Sequence, residues 1–515
     1  MDCETGRCQK TSSIRFIPGL KGRPGVDTPR AKKRRTAPAT FSVKVAPHIT
    51  LEARSDGEIA ASFYGHSVGL GKFGAGAADR AQKLRVGLPF SSFASGGPNV
   101  DKEIQLLARR LAAHGLLDYR LGHSRKGDDL VVIEPQVRDY WPQMPPLSDA
   151  DTIVLSRFAY IRRRGNDLVL ESPRAGALFR ICNPKIATAL AALATPQKVE
   201  QLRRQNGFPG LELLALLVDC QILFKTEAAD DGGLRPNEGD DDLVLWDFHD
   251  LVFHTRSTEG RHANPLGGLY SYTGSIAPLP AVRPSWPGEK IDLRTFSPAH
   301  SDTLSPAATL LRKRHSTRSF DDRRPITLAE LALFLDSTSR VQSRLQSTLG
   351  DGGPEIGYAV RPYPSGGASY ELELYLAVDK CEGLTKGFYH YDAGEHALVL
   401  IDIHRNQLEA LFKGAEFAMG APAAPQILIT VTARFGRVSW KYSSVAYSLV
   451  LKDVGVLLQT FYLMATDMGL GGCAIGSFNI DLFAKMTGLE FHVEGPVGQF
   501  AIGRGANPES SLGSM

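Results

Sequence analysis

The sequence has few cysteines, and their spacing excludes two classes of protein. The six cysteines are widely scattered, so they offer neither the Cys-x-x-Cys pairs of a zinc site nor the disulfide framework of a small secreted domain. His249, His254 and His262 also lack a helical His-x-x-x-His spacing, so we predict no metal site. Scattered cysteines fit a reducing compartment, and we expect the protein in the cytoplasm.

Strong charge of one sign and long apolar runs are absent as well. The 59 Lys and Arg residues nearly balance the 55 Asp and Glu residues, and the net charge of +4 does not indicate a nucleic-acid partner. The N-terminal end holds no apolar stretch of the kind that a secretory signal needs. The longest apolar run, residues 454–465, is about half of the roughly 20 residues in a membrane span, so no membrane contact is expected.

The chain is long enough for several folded domains, since 43% of its residues are hydrophobic and 22% are charged. We predict a disordered tail over residues 1–40, where Pro, Gly and basic residues are frequent. Two small modules follow at 41–145 and 146–228. An acidic, glycine-containing stretch begins a linker and extended connector over residues 229–300, and the last domain covers 301–515.

Both small modules resemble winged helices. The first contains strand-like segments at 49–53 and 58–63 and an amphipathic helix at 100–114. The second ends in a leucine-rich helix at 210–220 and a short apolar segment, which together resemble a winged-helix hairpin. Neither module has the basic recognition helix that DNA contacts need, so a peptide is the expected ligand.

The last domain is predicted to be α+β. Thr327 and Glu330 form a capping box at the start of a helix. Segments 370–378 and 426–432 have the alternation and β-branched residues of strands. The long apolar segment 442–468 is predicted to be a central helix.

Three separate segments offer groups that bind a phosphate dianion. Residues 314–320 (RHSTRSF) supply arginines and hydroxyls, residues 364–367 (PSGG) let the backbone approach a ligand closely, and residues 503–505 (GRG) add an arginine between glycines. Each alone is more commonly structural, as a solvated arginine cluster, a β-turn or a strand end. Their order along the chain favours a common binding site.

That order resembles the nitroreductase superfamily, over the last two fifths of the chain. Within it, the chain resembles the SagB-type azoline dehydrogenases, which form thiazole and oxazole rings in peptide toxins. The resemblance rests on the passages WDFHDLVFH (246–254), RPYPSGGA (361–368), WKY (440–442) and GLGGCAIG (469–476). The predicted fold is therefore α+β, with a nitroreductase-like FMN-binding C-terminal domain preceded by two small winged-helix-like modules.

The resemblance implies FMN as the cofactor and a homodimer with the flavin at its interface. The residues that it implies for FMN binding are Arg314, His315, Ser316, Arg318, Ser365, Gly366, Gly367 and, at the phosphate, Arg504. The residues that it implies near the isoalloxazine ring are Gly472, Cys473, Ala474 and Ile475. An apolar central helix fits a dimer because it must be covered on every side, but the core helix of a monomer fits as well.

Lys441 and Tyr442 match the Lys-Tyr pair that this family uses for catalysis. Aromatising an azoline removes a hydride and a proton, so the site needs a flavin and a base within hydrogen-bond reach. A lysine at the start of the central helix, partly desolvated beside Trp440 and Tyr442, would have its cationic form disfavoured. We predict Lys441 as the base and Tyr442 as its hydrogen-bond partner. A surface lysine leading into a helix is the structural alternative.

The predicted function is oxidation of azoline rings in a ribosomally made precursor peptide, during maturation of a bacteriocin or toxin. The resemblance implies dioxygen as acceptor, and a cyclodehydratase is the expected partner protein. Residues 368–371 are Ala-Ser-Tyr-Glu where the family often has Ala-Leu-Tyr-Pro, which leaves thiazoline versus oxazoline open. Two alternatives also stay open: an NAD(P)H-dependent nitro or flavin reductase, and a non-catalytic subunit that docks a peptide.

Overall fold

The computed structural model describes residues 39–506, apart from residues 64–65, 75, 94–100, 124–127, 206–207, 227–240, 265–266 and 297–303. Nearly all of the predicted tail and most of the predicted acidic linker lie outside the described residues. The disordered tail and the acidic linker therefore stay predictions.

Within residues 39–226, the described strands are short and antiparallel, and they outnumber the helices. The strands are β1 (Ala39–Val45), β2 (Thr50–Ala53), β3 (Glu58–Phe63), β4 (His66–Lys72), β5 (Leu88–Pro89), β6 (Leu117–His123), β7 (Asp129–Pro135), β8 (Thr152–Leu155), β9 (Tyr160–Arg164), β10 (Asp167–Glu171), β11 (Ala177–Ile181), β12 (Gln197–Lys198) and β13 (Leu223–Thr226). The helices are α1 (Ala77–Val86), α2 (Lys102–Ala113), α3 (Pro184–Ala191), α4 (Val199–Arg204) and α5 (Leu211–Asp219). The helices predicted at 100–114 and 210–220 are α2 and α5.

Strands from both predicted modules lie in one sheet. Its seven strands have the order β5-β1-β6-β7-β11-β10-β9. Strand β7 pairs with β11 across the predicted boundary at residue 145, with Ile133 opposite Phe179. Two three-stranded sheets, β2-β3-β4 and β12-β8-β13, complete the region. The two modules are thus joined through a common sheet, and their division into separate domains stays a prediction.

The C-terminal region contains longer helices and a second large sheet. The helices are α6 (Asp241–Val244), α7 (Phe248–Arg256), α8 (Pro306–Lys313), α9 (Leu328–Ser339), α10 (Arg405–Met419), α11 (Gly436–Ser439), α12 (Ala446–Asp467) and α13 (Ile480–Thr487). The strands are β14 (Ser343–Thr348), β15 (Glu355–Val360), β16 (Leu372–Val378), β17 (Gly387–Asp392), β18 (Ala397–Ile401), β19 (Ile427–Arg434), β20 (Gly471–Ile475) and β21 (Glu494–Gly503). The capping box predicted at Thr327 is present at the start of α9.

Six antiparallel strands form this sheet, in the order β18-β17-β16-β19-β21-β20. Helices cover both faces, so β19 is buried along nearly its whole length. Helix α12 packs on β20 and β21, where the rings of Phe461 and Phe500 lie 5.3 Å apart. Helix α10 contributes Leu408 and Phe412 to the core that contains Leu428 of β19. The predicted α+β class is confirmed.

Helix α12 begins later than the sequence predicted. Its first residue is Ala446 rather than Tyr442, because the chain makes a turn in which Ser444 has a φ of 59°. Among the described residues, α12 is the one helix whose length and composition would suffice to cross a membrane. Within the C-terminal domain it contacts α7, α8, α9 and the sheet.

The segment predicted as an extended connector contains helix α7, which packs on α12. The Asp247 side chain caps α7 by accepting a hydrogen bond from His249 N, and Leu251 and His254 are buried on one face. Asp250 accepts a hydrogen bond of 3.3 Å from Tyr447 N in the first turn of α12, where a carboxylate is favoured by the helix dipole. The passage WDFHDLVFH therefore supports the N-terminal end of the central helix.

Candidate active site

A first group of polar residues lies near the C-terminal half of α12, and we call it the arginine cluster: Arg314, Ser316, Arg318 and Tyr462. The Tyr462 hydroxyl lies 2.8 Å from Ser316 Oγ and accepts a hydrogen bond of 2.8 Å from Ala474 N. The Arg314 guanidinium lies over the Tyr462 ring, 5.0 Å from its centroid. Tyr462 thus connects the RHSTRSF segment to strand β20.

Among the described residues, no carboxylate neutralises the two arginines of this cluster. Neither Arg314 nor Arg318 makes an ion pair with another residue in the described part of the chain. Arg318 is exposed and Arg314 is half-buried. His315 is exposed, and its Nδ1 lies 3.1 Å from the Lys313 carbonyl oxygen. The Arg314 guanidinium, on the Tyr462 ring that meets the Ser316 hydroxyl, has the chemistry that binds a phosphate dianion, and Arg318 adds positive charge near Cys473.

Backbone contacts join the first and third predicted segments at the same edge of the sheet. Thr317 N donates a hydrogen bond of 2.8 Å to the Gly472 carbonyl. Phe320, at the end of the first segment, forms a β-bridge with Gly505 of the third segment. A Cβ atom on Gly471 would lie 2.8 Å from Thr317 Cβ, so only glycine allows this approach. Segments 314–320, 469–476 and 503–505 therefore meet in space.

Arg504 differs from the other two arginines because a carboxylate already holds it. Its Nη2 lies 2.6 and 2.7 Å from the two carboxylate oxygens of Glu330, the residue that also completes the capping box of α9. Its backbone N–H donates to Gln426 Oε1 at 2.8 Å. This pairing leaves the guanidinium of Arg504 less available to a phosphate than those of Arg314 and Arg318. Its role at the phosphate stays a prediction.

The residues predicted near the isoalloxazine ring are in β20. Gly472, Cys473 and Ile475 are buried, and Ala474 is half-buried. Strand β20 pairs with β21, with Cys473 opposite Ala501. Burial raises the pKa of the Cys473 thiol, so the thiol stays protonated and packs in the core between the sheet and α10. Among the described residues, Cys473 is a free cysteine without a disulfide partner, and its Sγ contacts the Ala474 carbonyl oxygen.

A second polar group lies nearer the N-terminal end of α12, and we call it the carboxylate cluster: Ser365, Gly366, Glu371 and Asp453. Asp453 Oδ2 accepts hydrogen bonds from Ser365 Oγ at 2.9 Å and from Gly366 N at 2.8 Å. Glu371 Oε2 lies 3.2 Å from the same Ser365 Oγ. Burial, followed by the negative charge of Asp453, raises the pKa of Glu371 to about 7.

The predicted catalytic pair lies against residues 365–370, which we call the glycine loop. Lys441 Nζ donates a hydrogen bond of 3.0 Å to the Gly367 carbonyl. A Cβ atom on Gly367 would overlap Tyr442 Oη and lie 2.7 Å from Lys441 Nζ. Lys441 Nζ also lies 5.3 Å from the Tyr442 ring centroid and 5.8 Å from that of Tyr358. Segment 365–367 and the Lys-Tyr pair are therefore brought together.

The surroundings of Lys441 differ from the prediction in two respects. The residue follows α11 and precedes α12 by five positions, so it does not lie at the start of the central helix. Its side chain is exposed in this single chain, as is Trp440, whereas Tyr442 is half-buried. Partial desolvation of Lys441 was therefore a wrong expectation for the chain by itself. Bound ligand or a second subunit would have to exclude water there.

A cavity of about 720 Å³ opens beside Lys441. Its wall combines apolar, basic and acidic side chains, including Ile356, Tyr358, Arg437, Trp440 and Glu494. Arg437 Nη2 donates to the carbonyls of Gly357 at 3.1 Å and Ser369 at 3.1 Å, which ties strand β15 to the end of the glycine loop. The volume lies within the usual range of small-ligand pockets. A flexible peptide residue or a small ring would fit it.

Helix α12 connects the two clusters. Asp453 and Tyr462 are nine residues apart on this helix, which corresponds to about 13.5 Å along its axis. Sequence reasoning did not find either residue, nor Glu371, although the signals were present. A carboxylate and a tyrosine hydroxyl in an apolar helix each need a polar partner when they are buried or half-buried. The partners were too far away in sequence to be identified.

Comparisons with known proteins identify the class of enzyme. Residues 311–504 match the family model described as "Nitroreductase family", and residues 153–263 match the model described as "Cyanobactin oxidase ThcOx". These matches define an oxidoreductase with a nitroreductase-like C-terminal domain. The predicted resemblance to the peptide-processing branch of that superfamily is confirmed.

Three relatives make the assignment more specific. "Putative nitroreductase MJ1384" of Methanocaldococcus jannaschii is 32% identical over 169 residues, which are 33% of this chain and 77% of that protein. Trifolitoxin-processing protein TfxB of Rhizobium leguminosarum is 27% identical over 147 residues, or 28% of this chain and 39% of TfxB. Microcin B17-processing protein McbC of Escherichia coli is 27% identical over 150 residues, or 28% of this chain and 54% of McbC. The chain belongs to the nitroreductase family.

Proposed function

We propose that this protein is an FMN-dependent dehydrogenase that oxidises azoline rings to azoles in a ribosomally synthesised precursor peptide. The observation that carries the proposal is the contact of Lys441 Nζ with the Gly367 carbonyl beside a cavity of about 720 Å³, in a nitroreductase-family domain. Two relatives are named for the processing of peptide toxins, and residues 153–263 match a cyanobactin oxidase model. Both lines support a modified peptide as substrate.

The arginine cluster and the glycine loop are the residues that would hold FMN. Arg314 and Arg318 supply charge for the phosphate, and Ser316 supplies a hydroxyl. The backbone of β20 and the loop from Ser365 to Gly367 would contact the rest of the cofactor. The fit rests on two guanidinium groups without a carboxylate partner among the described residues and on glycines that keep side chains away. When bound, FMN supplies a hydride acceptor.

Lys441 and Tyr442 would carry out the proton transfer from the azoline ring. Aromatisation of an azoline breaks two C–H bonds on neighbouring ring carbons, one as hydride and one as proton. The Lys441 amine, held by the Gly367 carbonyl, would accept that proton through its lone pair. Tyr442, packed against Gly367, would limit the positions open to Nζ. The cavity wall would keep the ring close to this amine.

The first test is substitution of the proposed base. Lys441→Ala should lower the rate of ring oxidation at least 100-fold, since general bases commonly contribute about 10²–10⁴-fold, while the protein stays yellow and folded. Mass spectrometry of a precursor peptide carrying preformed azolines would measure the loss of about 2 Da per ring, the mass of one hydride and one proton. Lys413→Ala, an exposed lysine of α10, is the matched control. Wild-type rates in the Lys441→Ala protein would remove Lys441 from the mechanism.

An NAD(P)H-dependent nitro or flavin reductase is the second candidate, since one relative is named as a nitroreductase. The two functions differ in their electron donor. Stopped-flow absorbance would detect rapid bleaching of the flavin by NADPH without peptide if the reductase activity is correct. Slow bleaching by NADPH and turnover with peptide would favour the dehydrogenase.

The proposed setting is a cytoplasmic modification complex. We propose a homodimer, with a precursor peptide as substrate and a cyclodehydratase as partner protein. Dioxygen is the proposed final electron acceptor. Size-exclusion chromatography with light scattering would test the dimer, and oxygen uptake during turnover would test the acceptor.

A further inference from the structure

The glycine loop has a backbone that its own sequence does not favour. Gly367 has a φ of 61°, and the non-glycine residues Ala368 and Tyr370 have φ values of 53° and 45°. Side chains with a Cβ atom rarely adopt this left-handed region. Such residues persist only where the surrounding structure holds them. Something outside the loop must therefore maintain its shape.

The carboxylate cluster provides that support. Asp453, which is 7% exposed, accepts hydrogen bonds from both Ser365 Oγ and Gly366 N. Ser365 Oγ in turn accepts a hydrogen bond of 2.9 Å from Tyr370 N. The two ends of the loop are thus fastened to one carboxylate of the central helix. Ser365 is the connection between them.

The number of protons in the cluster is limited. The Ser365 hydroxyl has one hydrogen, yet it lies within hydrogen-bond distance of carboxylate oxygens of both Asp453 and Glu371. If the hydroxyl donates to Asp453, the contact with Glu371 is favourable only when Glu371 carries a proton and donates it. Glu371 is fully buried, and its neighbours are Asp453 from α12, the Tyr363 phenol before the loop and the backbone of Arg434 in β19. Two ionised carboxylates would repel each other there.

We propose that Asp453 and Glu371 are positioning residues that share one proton, hold the loop from Ser365 to Tyr370 in its strained shape, and thereby keep the Gly367 carbonyl at Lys441 Nζ. This inference rests on the proposed role of Lys441 as base. Loss of the shared proton separates the two carboxylates. The loop then relaxes, and Lys441 loses its hydrogen-bond acceptor.

The direction of the pH effect follows from the environment of Glu371. Its ordinary pKa is 4.5, and burial and Asp453 raise the pKa to about 7 in the folded protein. Between these values the folded state binds the proton more tightly than the unfolded state does. Stability contributed by this group therefore falls as pH rises from about 4.5 to about 7 and changes little above that. The loop should be held firmly at pH 6 and loosened at pH 8.5.

Hydrogen–deuterium exchange of the FMN-loaded full chain tests the proposal without an activity assay. We expect protection factors of amides in residues 364–372 of the wild type to fall at least tenfold from pH 6 to pH 8.5. Glu371→Gln, whose amide can donate without ionising, should keep high protection at both pH values. Glu371→Ala and Asp453→Ala should lose it at both. Glu395→Gln and Asp467→Ala, which change exposed acids, should behave like the wild type.

Ring oxidation gives the second readout. Compared at equal FMN content, Asp453→Ala should oxidise rings at least 30-fold more slowly than the wild type, and Glu371→Gln should be at least tenfold faster than Glu371→Ala. Unchanged wild-type protection between the two pH values, or equal behaviour of the Gln and Ala variants, would overturn the proposal. So would a normal oxidation rate in Asp453→Ala. If Asp453→Ala does not fold, the two Glu371 variants still decide.

The two experiments distinguish failure of the proposed function from failure of this inference. If the wild type oxidises no ring but the exchange pattern is as expected, the enzymatic assignment is wrong and the proton-dependent loop is retained. If rings are oxidised and the exchange pattern is absent, the loop has another support.

Discussion

The two polar clusters along α12 differ in how their charges are balanced. Arg314 and Arg318 meet no carboxylate among the described residues, whereas Asp453 and Glu371 face each other across one serine hydroxyl. A cluster with free cations can receive an anion from outside. The acid pair instead contacts the loop through Ser365 and Gly366, while Glu371 Oε1 has no hydrogen-bond partner among the described residues. On the proposed function, the arginine cluster would bind the cofactor phosphate and the carboxylate cluster would position the loop.

Arg504 shows why residue type alone does not decide which of these roles applies. It belongs to the same group of segments as Arg314, yet Glu330 occupies its guanidinium. An arginine with a carboxylate partner contributes to stability and fold geometry, and it has less charge available for a ligand. The three arginines can therefore be separated by experiment.

The largest expected effect is on FMN affinity. Replacing both Arg314 and Arg318 by alanine removes two charge-assisted contacts of about 1.5–3 kcal/mol each, so the dissociation constant should rise by about 10²–10⁴-fold. Arg504→Ala should change FMN affinity much less and should lower the melting temperature, since it leaves Glu330 without its cation. Quenching of FMN fluorescence measures the first effect and calorimetry the second.

Arg323→Ala changes an exposed arginine three residues after the RHSTRSF segment and serves as control. Equal losses of FMN affinity in Arg504→Ala and in the double variant would show that the contrast between these arginines is wrong.

The next effect concerns the glycine loop, for which the chain offers a matched pair. Gly367 and Gly420 have nearly the same left-handed backbone, with φ values of 61° and 60°, so alanine costs about 1–2 kcal/mol of strain at either position. Only at Gly367 would the new Cβ atom also overlap Tyr442. Gly367→Ala should therefore lower ring oxidation about 100-fold, which corresponds to about 2.7 kcal/mol in the activation barrier.

Gly420→Ala should keep the wild-type rate with a small loss of stability. The rates and urea midpoints of the two variants are to be compared at equal FMN content. If both alanine variants lose activity equally, the cause is backbone strain and the contact with the Lys-Tyr pair is irrelevant.

The smallest effect is expected at Tyr462. Tyr462→Phe removes the hydroxyl that serves both Ser316 and Ala474 N, and one such hydrogen bond contributes about 1 kcal/mol. FMN affinity should fall about fivefold, because the RHSTRSF segment is then less firmly held against β20. Tyr389→Phe, which removes a hydroxyl bonded to Thr385, should leave FMN affinity unchanged. An unchanged FMN affinity in Tyr462→Phe would show that Tyr462 does not organise the arginine cluster.

Local patterns predicted local structure well. The capping box of Thr327 and Glu330 and the helices at 100–114 and 210–220 depend on residues close together in sequence, and they were found where expected. The second role of Glu330, its pairing with Arg504, spans 174 residues and left no local signal. The start of α12 was predicted four residues early because the apolar pattern continues through a turn that only its backbone reveals.

By itself, the sequence determined the family, the α+β class of the C-terminal domain and the segments that hold polar groups, since motifs and periodicity are properties of neighbouring residues. Tertiary structure decided which charges are free and which are paired: Arg314 remains open, Arg504 meets Glu330, and Ser365 meets Asp453 from 88 residues away. Pairing depends on distances in space, and a linear pattern does not contain those distances.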